Sequence, residues 1–385
     1  MIAVNLQYAL KGVLQTLNTN MSLFVNRFPD NTTVGNRYHL RLAQNGFAAG
    51  DNYGWTTGFW SGMLWIAYEL TGNENYRQLG EQHIQDFTHR AENAIDLDTH
   101  DIGFLYTLAC VAPFRLIQNT KAKYAALLAA ELLMNRYLGT AGVFQAWGTL
   151  DDLRLRGSTI IDSLMNMPLL YWAAEQTGDH RFATAAHRHS VQLRDHVVRS
   201  DNSTYHTFYW DVEMGTPVGG KTAQGHSDNS CWARGQAWAI YGFALNYRYT
   251  RDESLLAVAQ RCANYFLNHL SQDYVPYWDL VFGDGSGQPR DSSAAAIAVC
   301  GLLEIARWLP EGAQRQHYQT AAETILASLV THYAAPAESG SNTLLLHSVY
   351  DLPKNIGVDE GCLWGDYFYM EALIRSLIPN WQVYW

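Results

Sequence analysis

Charge is what this chain has least of: Asp, Glu, Lys and Arg make up 16% of its 385 residues, with a net charge of −10. A surface that coats nucleic acid needs clustered Lys and Arg to displace counterions, so no nucleic-acid partner is expected. Disorder is excluded from the other side, because 48% apolar content supplies a large core. Cysteines are few, odd in number and far apart (Cys110, Cys231, Cys262, Cys300, Cys362), with no CxxC spacing. They read as reduced packing residues, neither disulfides nor a metal or redox site. No apolar run is long and uncharged enough to span a bilayer, and residues 1–10 lack the basic start, apolar stretch and cleavage site of a secretory signal. A cytoplasmic protein without a membrane partner is the expectation. HExxH, a GxGxxG after a strand, the P-loop and the nucleophile elbow are all missing. His187 and His189 flank Arg188 on an amphipathic stretch and read as surface residues. His83 and His89, with no convergent carboxylate in sequence, read as solvated. No metal and no cofactor is expected.

Aromatic rings, by contrast, are plentiful. Thirteen Trp and 23 Tyr exceed what core packing usually requires, and large rings with a polar edge are what sugar clefts use to cover a pyranose face. A joint-like phrase also recurs, at Tyr68–Tyr76, Leu116–Tyr124, Ala174–Phe182, Tyr247–Leu255 and Ala306–Gln314. Each stops one helix at a glycine or polar residue and starts another with an acidic or amide residue. The period of roughly 50 to 70 residues fits repeated helical hairpins. Before each joint the pattern is apolar nearly all round, as in Ser292–Ala306, which means burial; after it the pattern is amphipathic, as in His180–Arg194. Alternating buried and half-buried helices describe an all-α fold, an (α/α)6 barrel of six hairpins. An open solenoid repeats hairpins too, but its inner helices should carry more charge than these. We read residues 1–385 as a single barrel domain.

In such a barrel the short joints share one end, so the long connections share the other: residues 41–57, 90–101, 139–161, 201–230, 271–291 and 335–362. Connections this long are uncommon unless they are functional. Alternation at Tyr205–Glu213 predicts a small β hairpin on that rim. Asp101 and Asp162 each stand there, directly ahead of an apolar inner-helix run. Each could be only a helix cap worth about 1 kcal/mol, the reading kept for Asp291. Their aromatic and polar flanks (His100, Phe104, Trp147, Asn166) argue for more. A helix N-terminus lowers a carboxyl pKa by under about one unit, whereas aromatic desolvation and a second carboxylate raise it by several. Two such carboxylates are the equipment for acid/base cleavage of a glycoside.

The ordered set Trp55-Thr-Thr-Gly-Phe-Trp-Ser-Gly62, His100-Asp-Ile-Gly-Phe104, Ile161-Asp-Ser-Leu-Met-Asn166, Tyr205-His206, Ala223-Gln-Gly-His-Ser-Asp228, Trp232-Ala-Arg-Gly-Gln-Ala-Trp238, Arg290-Asp-Ser-Ser-Ala294 and Trp364-Gly-Asp-Tyr-Phe-Tyr369 resembles the unsaturated glucuronyl hydrolases of glycoside hydrolase family 88. The resemblance runs through nearly the whole chain. It implies hydration of a C4=C5 vinyl ether in the terminal uronate left by a polysaccharide lyase, not direct attack on the glycosidic bond. By the same resemblance Asp162 is the general acid/base and Asp101 its carboxylate partner, with His206 and Gln224 around the uronate and the water. Arg234 and Trp238 would hold the substrate, and Trp55 and Trp147 would stack on it. Ser348, Tyr350 and Lys354 resemble the loop that accommodates a sulfated amino sugar in some members, though Asp351 and Pro353 break its pattern. The implied partner is an unsaturated uronate-containing glycosaminoglycan oligosaccharide of chondroitin or hyaluronan type, and the protein itself a monomer or weak homo-oligomer. Competing readings are an unsaturated rhamnogalacturonyl hydrolase, a sugar epimerase using His206 and His226, and a non-catalytic sugar-binding barrel. On residues alone, Arg234 could instead steady a helix start by pairing with an acid, and Trp55 and Trp238 could be core.

Overall fold

A computed structural model describes residues 5–385. In chain order the helices are α1 (Leu6–Phe24), α2 (Thr57–Thr71), α3 (Glu74–Glu92), α4 (Ile102–Tyr106), α5 (Ala112–Ile117), α6 (Thr120–Met134), α7 (Met167–Thr177), α8 (His180–His196), α9 (Ala233–Thr250), α10 (Glu253–Asn268), α11 (Ser292–Trp308), α12 (Ala313–Ser328) and α13 (Leu363–Leu377). Helices α4 and α5 are one inner helix, joined by a π-helical turn at Thr107–Val111 where Pro113 offers no backbone N–H. Six inner helices (α2, α4–α5, α7, α9, α11, α13) are thus wrapped by six outer ones (α1, α3, α6, α8, α10, α12). The ring closes where α13 packs against both α1 and α2. This is the expected α/α barrel.

Four of the five joints share one local design. A left-handed residue (Gly72, Gln118, Gly178 or Arg251) ends the inner helix, and the next residue (Asn73, Asn119, Asp179 or Asp252) caps the outer helix by accepting a backbone N–H. Each cap contributes about 1 kcal/mol. Inner helices are buried on every side, Ala233 to Tyr247 of α9 without a break, whereas α8 buries only one face.

The opposite end carries the long connections and, among the described residues, all the strands. These are β1 (Tyr137–Leu138) with β2 (Val143–Phe144), the antiparallel sheet β3 (Ser158–Ile160), β4 (Thr207–Trp210) and β5 (Pro217–Lys221), and the hairpin of β6 (Ser348–Asp351) with β7 (Ile356–Glu360). The predicted rim hairpin is β4–β5, with β3 added to its edge.

Two histidine expectations fail. His83 is fully buried, its Nδ1 3.0 Å from the Ser61 hydroxyl, and His189 is fully buried on the inward face of α8. A hydrogen-bonded neutral imidazole packs as readily as an aromatic ring, and the amphipathic pattern does not distinguish the two. His89 is exposed as read. All five cysteines are buried and free. No described helix is long and apolar enough to cross a membrane.

Candidate active site

Asp101 occupies the N-cap position of α4, and Asp162 sits in a 3-10 turn (Ile161–Met165) leading into α7. Gly103 lets the two segments meet: a Cβ there would lie 2.3 Å from the Asn166 Cα. Asn166 Oδ1 then accepts the Phe104 N–H at 2.7 Å, locking the two helix starts together. The result is a shared cluster. Asp101 Oδ1 and Asp162 Oδ1 each lie 3.3 Å from His100 Nε2, and the three atoms are within 4.8 Å of one another.

Compensation at this cluster is thin. Asp101 Oδ2 accepts from the Thr99 hydroxyl at 2.8 Å, but among the described residues Asp162 Oδ1 and both His100 ring nitrogens make no hydrogen bond. Burial lifts the Asp101 carboxyl to about 6, against the pull of Thr99 and the buried Arg136 guanidinium. It lifts Asp162 well above the carboxylate range, with Asp101 adding to the rise and Arg234 opposing it. Burial also drives the His100 imidazole down to about 3, which leaves it neutral. Neutral His100 and two carboxyls that favour protonation make this a proton-holding site. The three atoms have metal-ligand spacing, yet any cation would have to displace those protons.

A cleft of about 640 Å³ opens over the cluster. Trp55, Trp147, His206, Gln224, Arg234, Trp238, Tyr350 and Lys354 all line it. Trp55 stacks on Trp364 (centroids 5.1 Å) and donates Nε1–H to the Tyr350 hydroxyl at 3.0 Å. Trp238 is almost wholly buried against Phe104 and Phe368, so it is core and wall at once. His206 Nδ1 accepts from the backbone N–H groups of Ala223 and Gln224. That fixes the proton on Nε2, leaving one donor for the cleft.

One expectation needs correction. Ser348 does not reach the cleft: it is fully buried on β6, and its hydroxyl pairs with that of Ser292 at 2.8 Å. Regular alternation would put Ser348 and Tyr350 on one face, but the pairing of β6 with β7 shifts register between Ser348 and Val349, so Tyr350 lines the cleft while Ser348 packs on the start of α11. Arg234 lines the cleft as expected, and its guanidinium is anchored there. It pairs with Asp291 Oδ2 at 2.9 Å, donates to the carbonyls of Val349 and Tyr350, and sits over the Trp232 and Trp364 rings. Asp291 in turn caps α11. The Arg234–Asp291 pair therefore ties three connections together.

Residues 22–372 match the family model described as Glycosyl Hydrolase Family 88. The chain belongs to glycoside hydrolase family 88. As a family-88 glycosidase it is similar over nearly its full length to curated and solved relatives. An unsaturated chondroitin disaccharide hydrolase of Streptococcus pneumoniae is 43% identical, covering 98% of this chain and 93% of the relative. The crystal structure of an unsaturated glucuronyl hydrolase from Streptococcus agalactiae superposes with a TM-score of 0.94 at 43% identity, over 99% of this chain and 93% of that one. An aspartate-to-asparagine mutant from S. agalactiae, complexed with dGlcA-GalNAc6S, aligns at 41% identity with a TM-score of 0.86, covering 99% and 93%.

Sequence reasoning treated His100 only as a flank of Asp101 and overlooked Thr99 and Gly103. The signal was available in Thr99-His-Asp-Ile-Gly103, where a donor, a ring and a small residue surround one acid. What it could not give was the 3.3 Å approach of His100 to an acid 62 residues away.

Proposed function

We propose that this family-88 chain removes the 4,5-unsaturated uronate from the non-reducing end of lyase-generated glycosaminoglycan disaccharides of chondroitin or hyaluronan type. Asp162, protonated at rest, delivers its proton to C4 of the vinyl ether. Water adds at C5, giving its own proton back to the Asp162 carboxylate, and the hemiketal so formed opens to release the neighbouring sugar and a keto acid. Asp101 is the ionised partner that keeps the shared proton on Asp162 and orients the sugar.

The observation that carries this reading is the tight, under-compensated pair. Here one oxygen of each carboxyl lies within 4.8 Å of the other and 3.3 Å from the same neutral imidazole, close enough for one carboxylate to keep a proton on its partner. The similarity to an unsaturated chondroitin disaccharide hydrolase supports the substrate class. Arg234, anchored by Asp291, brings positive charge to the uronate carboxylate, and the His206 Nε2–H and the Gln224 amide add neutral donors, between Trp55 and Trp147. At the mouth Asp351 holds Lys354 at 2.7 Å and Asp96 and Asp98 add negative charge, so unsulfated disaccharides are preferred.

The test is the ultraviolet absorbance of the conjugated double bond. Incubation with unsaturated chondroitin or hyaluronan disaccharide should abolish it. Loss only with pectin-derived fragments would move the substrate to rhamnogalacturonyl oligosaccharides, and persistence with both would refute the reading.

A further inference from the structure

We propose that His189, on the outer helix α8 and remote from the cleft, is a positioning residue that sets the distance between the two carboxyl groups. Its ring is fully buried and bridges two backbone segments. Nδ1 accepts the Phe144 N–H at 3.2 Å, and Nε2 lies 2.7 Å from the Ser163 hydroxyl. Because Nδ1 is an acceptor, the proton is on Nε2 and is donated to Ser163 Oγ, whose own proton goes to the Ile160 carbonyl at 2.6 Å. Every polar atom in the relay is satisfied.

What the relay joins gives it a role in catalysis. Ser163 is the chain neighbour of Asp162, and its bond to Ile160 closes the turn that aims that acid. Phe144 ends β2, and the chain just beyond it carries Ala146, whose carbonyl holds the His100 N–H at 2.9 Å, and Trp147, which bridges to Thr99. One imidazole therefore ties the backbone carrying Asp162 to the backbone carrying His100 and Asp101. The ring is also held neutral, burial pushing it down to about 3, so the relay keeps its polarity at working pH. A misplacement of about 1 Å in such a pair costs on the order of 100-fold in rate.

This rests on the hydrolase reading above, and the experiment separates the two. His189→Phe keeps a ring in place and removes both bonds; Ser163→Ala removes only the second link and perturbs packing less. Each is assayed for kcat and KM by loss of unsaturated-disaccharide absorbance, with thermal melts on the same samples. We expect kcat to fall at least about 10-fold in His189→Phe and several-fold in Ser163→Ala, with KM within about 3-fold in both. The double variant should be no slower than His189→Phe, since both changes break one relay. An inactive wild type would overturn the substrate reading. An active wild type whose variants melt earlier but keep kcat, or whose effects multiply in the double variant, would overturn the positioning role. If His189→Phe does not fold, an unchanged kcat in Ser163→Ala overturns it alone.

Discussion

Both ends of the barrel bury carboxyl groups, and the Asp101–Asp162 pair in the cleft is treated in the opposite way to the two glutamates at the closed end. At the closed end Glu304 accepts from Arg248, Arg375 and the Trp308 indole at 2.7–3.0 Å, and Glu371 from Tyr241, Arg375 and the Trp385 indole. Burial alone would lift Glu304, but Arg375 and Arg248 more than reverse this and hold it below the usual range. At the cleft end Asp101 and Asp162 have no cation bonded to them, and burial lifts both. Depth is therefore not what marks the candidate active site. The distinguishing feature is a buried acid left without compensation, which stores a proton where the closed end stores an ion pair.

Asp162→Asn should break the cleft side of this contrast most severely. Loss of the acid should slow hydration by about 10²–10⁴-fold, measured by absorbance, while the denaturation midpoint holds or rises because a costly buried acid is gone. A midpoint that drops with the activity would mean that Asp162 is structural. The mirror experiment is Arg375→Met, which leaves Glu371 without a cation and Glu304 with Arg248 alone. It should cost about 3–5 kcal/mol of stability by urea titration, with kcat of the folded fraction retained. If that variant instead lost kcat without losing stability, the two ends would not be separable.

Acid should act on the two ends with opposite sign. Asp101 titrates near about 4 when unfolded and about 6 when folded, so the folded state holds the extra proton between those values and stability falls as pH rises through that window. Glu304, depressed when folded, contributes stability above its unfolded pKa and loses it as pH falls through the lower folded value. Asp101→Asn should therefore flatten the decline in urea midpoint between about pH 4 and 6, and an unchanged slope would remove the claim that burial is uncompensated there. The rate profile sharpens the same point: kcat/KM should rise as Asp101 ionises near about 6 and fall again at higher pH as Asp162 loses its proton. The smallest effect is expected at the rim. Asp351→Ser frees Lys354 and should raise kcat/KM for a sulfated disaccharide relative to the unsulfated one by several-fold, about 1 kcal/mol of interaction.

Much of this was legible in the chain. The joints at Gly72–Asn73 and Gly178–Asp179 announce themselves because a left-handed stop and an N-cap are local chemistry. The all-apolar runs of α9 and α11 declare burial without any partner being known. Asp101 and Asp162 were readable as helix-start acids for the same reason. His83 and His189 were misread because an amphipathic pattern records polarity, and a satisfied histidine on a buried face has the same letter as a wet one. Ser348 was misplaced because the register shift between Ser348 and Val349, which separates it from the face of Tyr350, depends on the pairing with β7 and leaves no mark in the sequence.

By itself, then, the sequence determined the helices, their inner or outer rank and the end at which the long connections gather, since these follow from propensity, capping and periodicity within a few turns of chain. Tertiary structure alone decided which acids keep their protons and which cations are spent. Whether Asp101 meets a neutral ring, or Arg234 meets Asp291 57 residues away, depends on contacts between segments that no local pattern encodes. Electrostatics at short range and low dielectric changes sign with a few ångströms of placement.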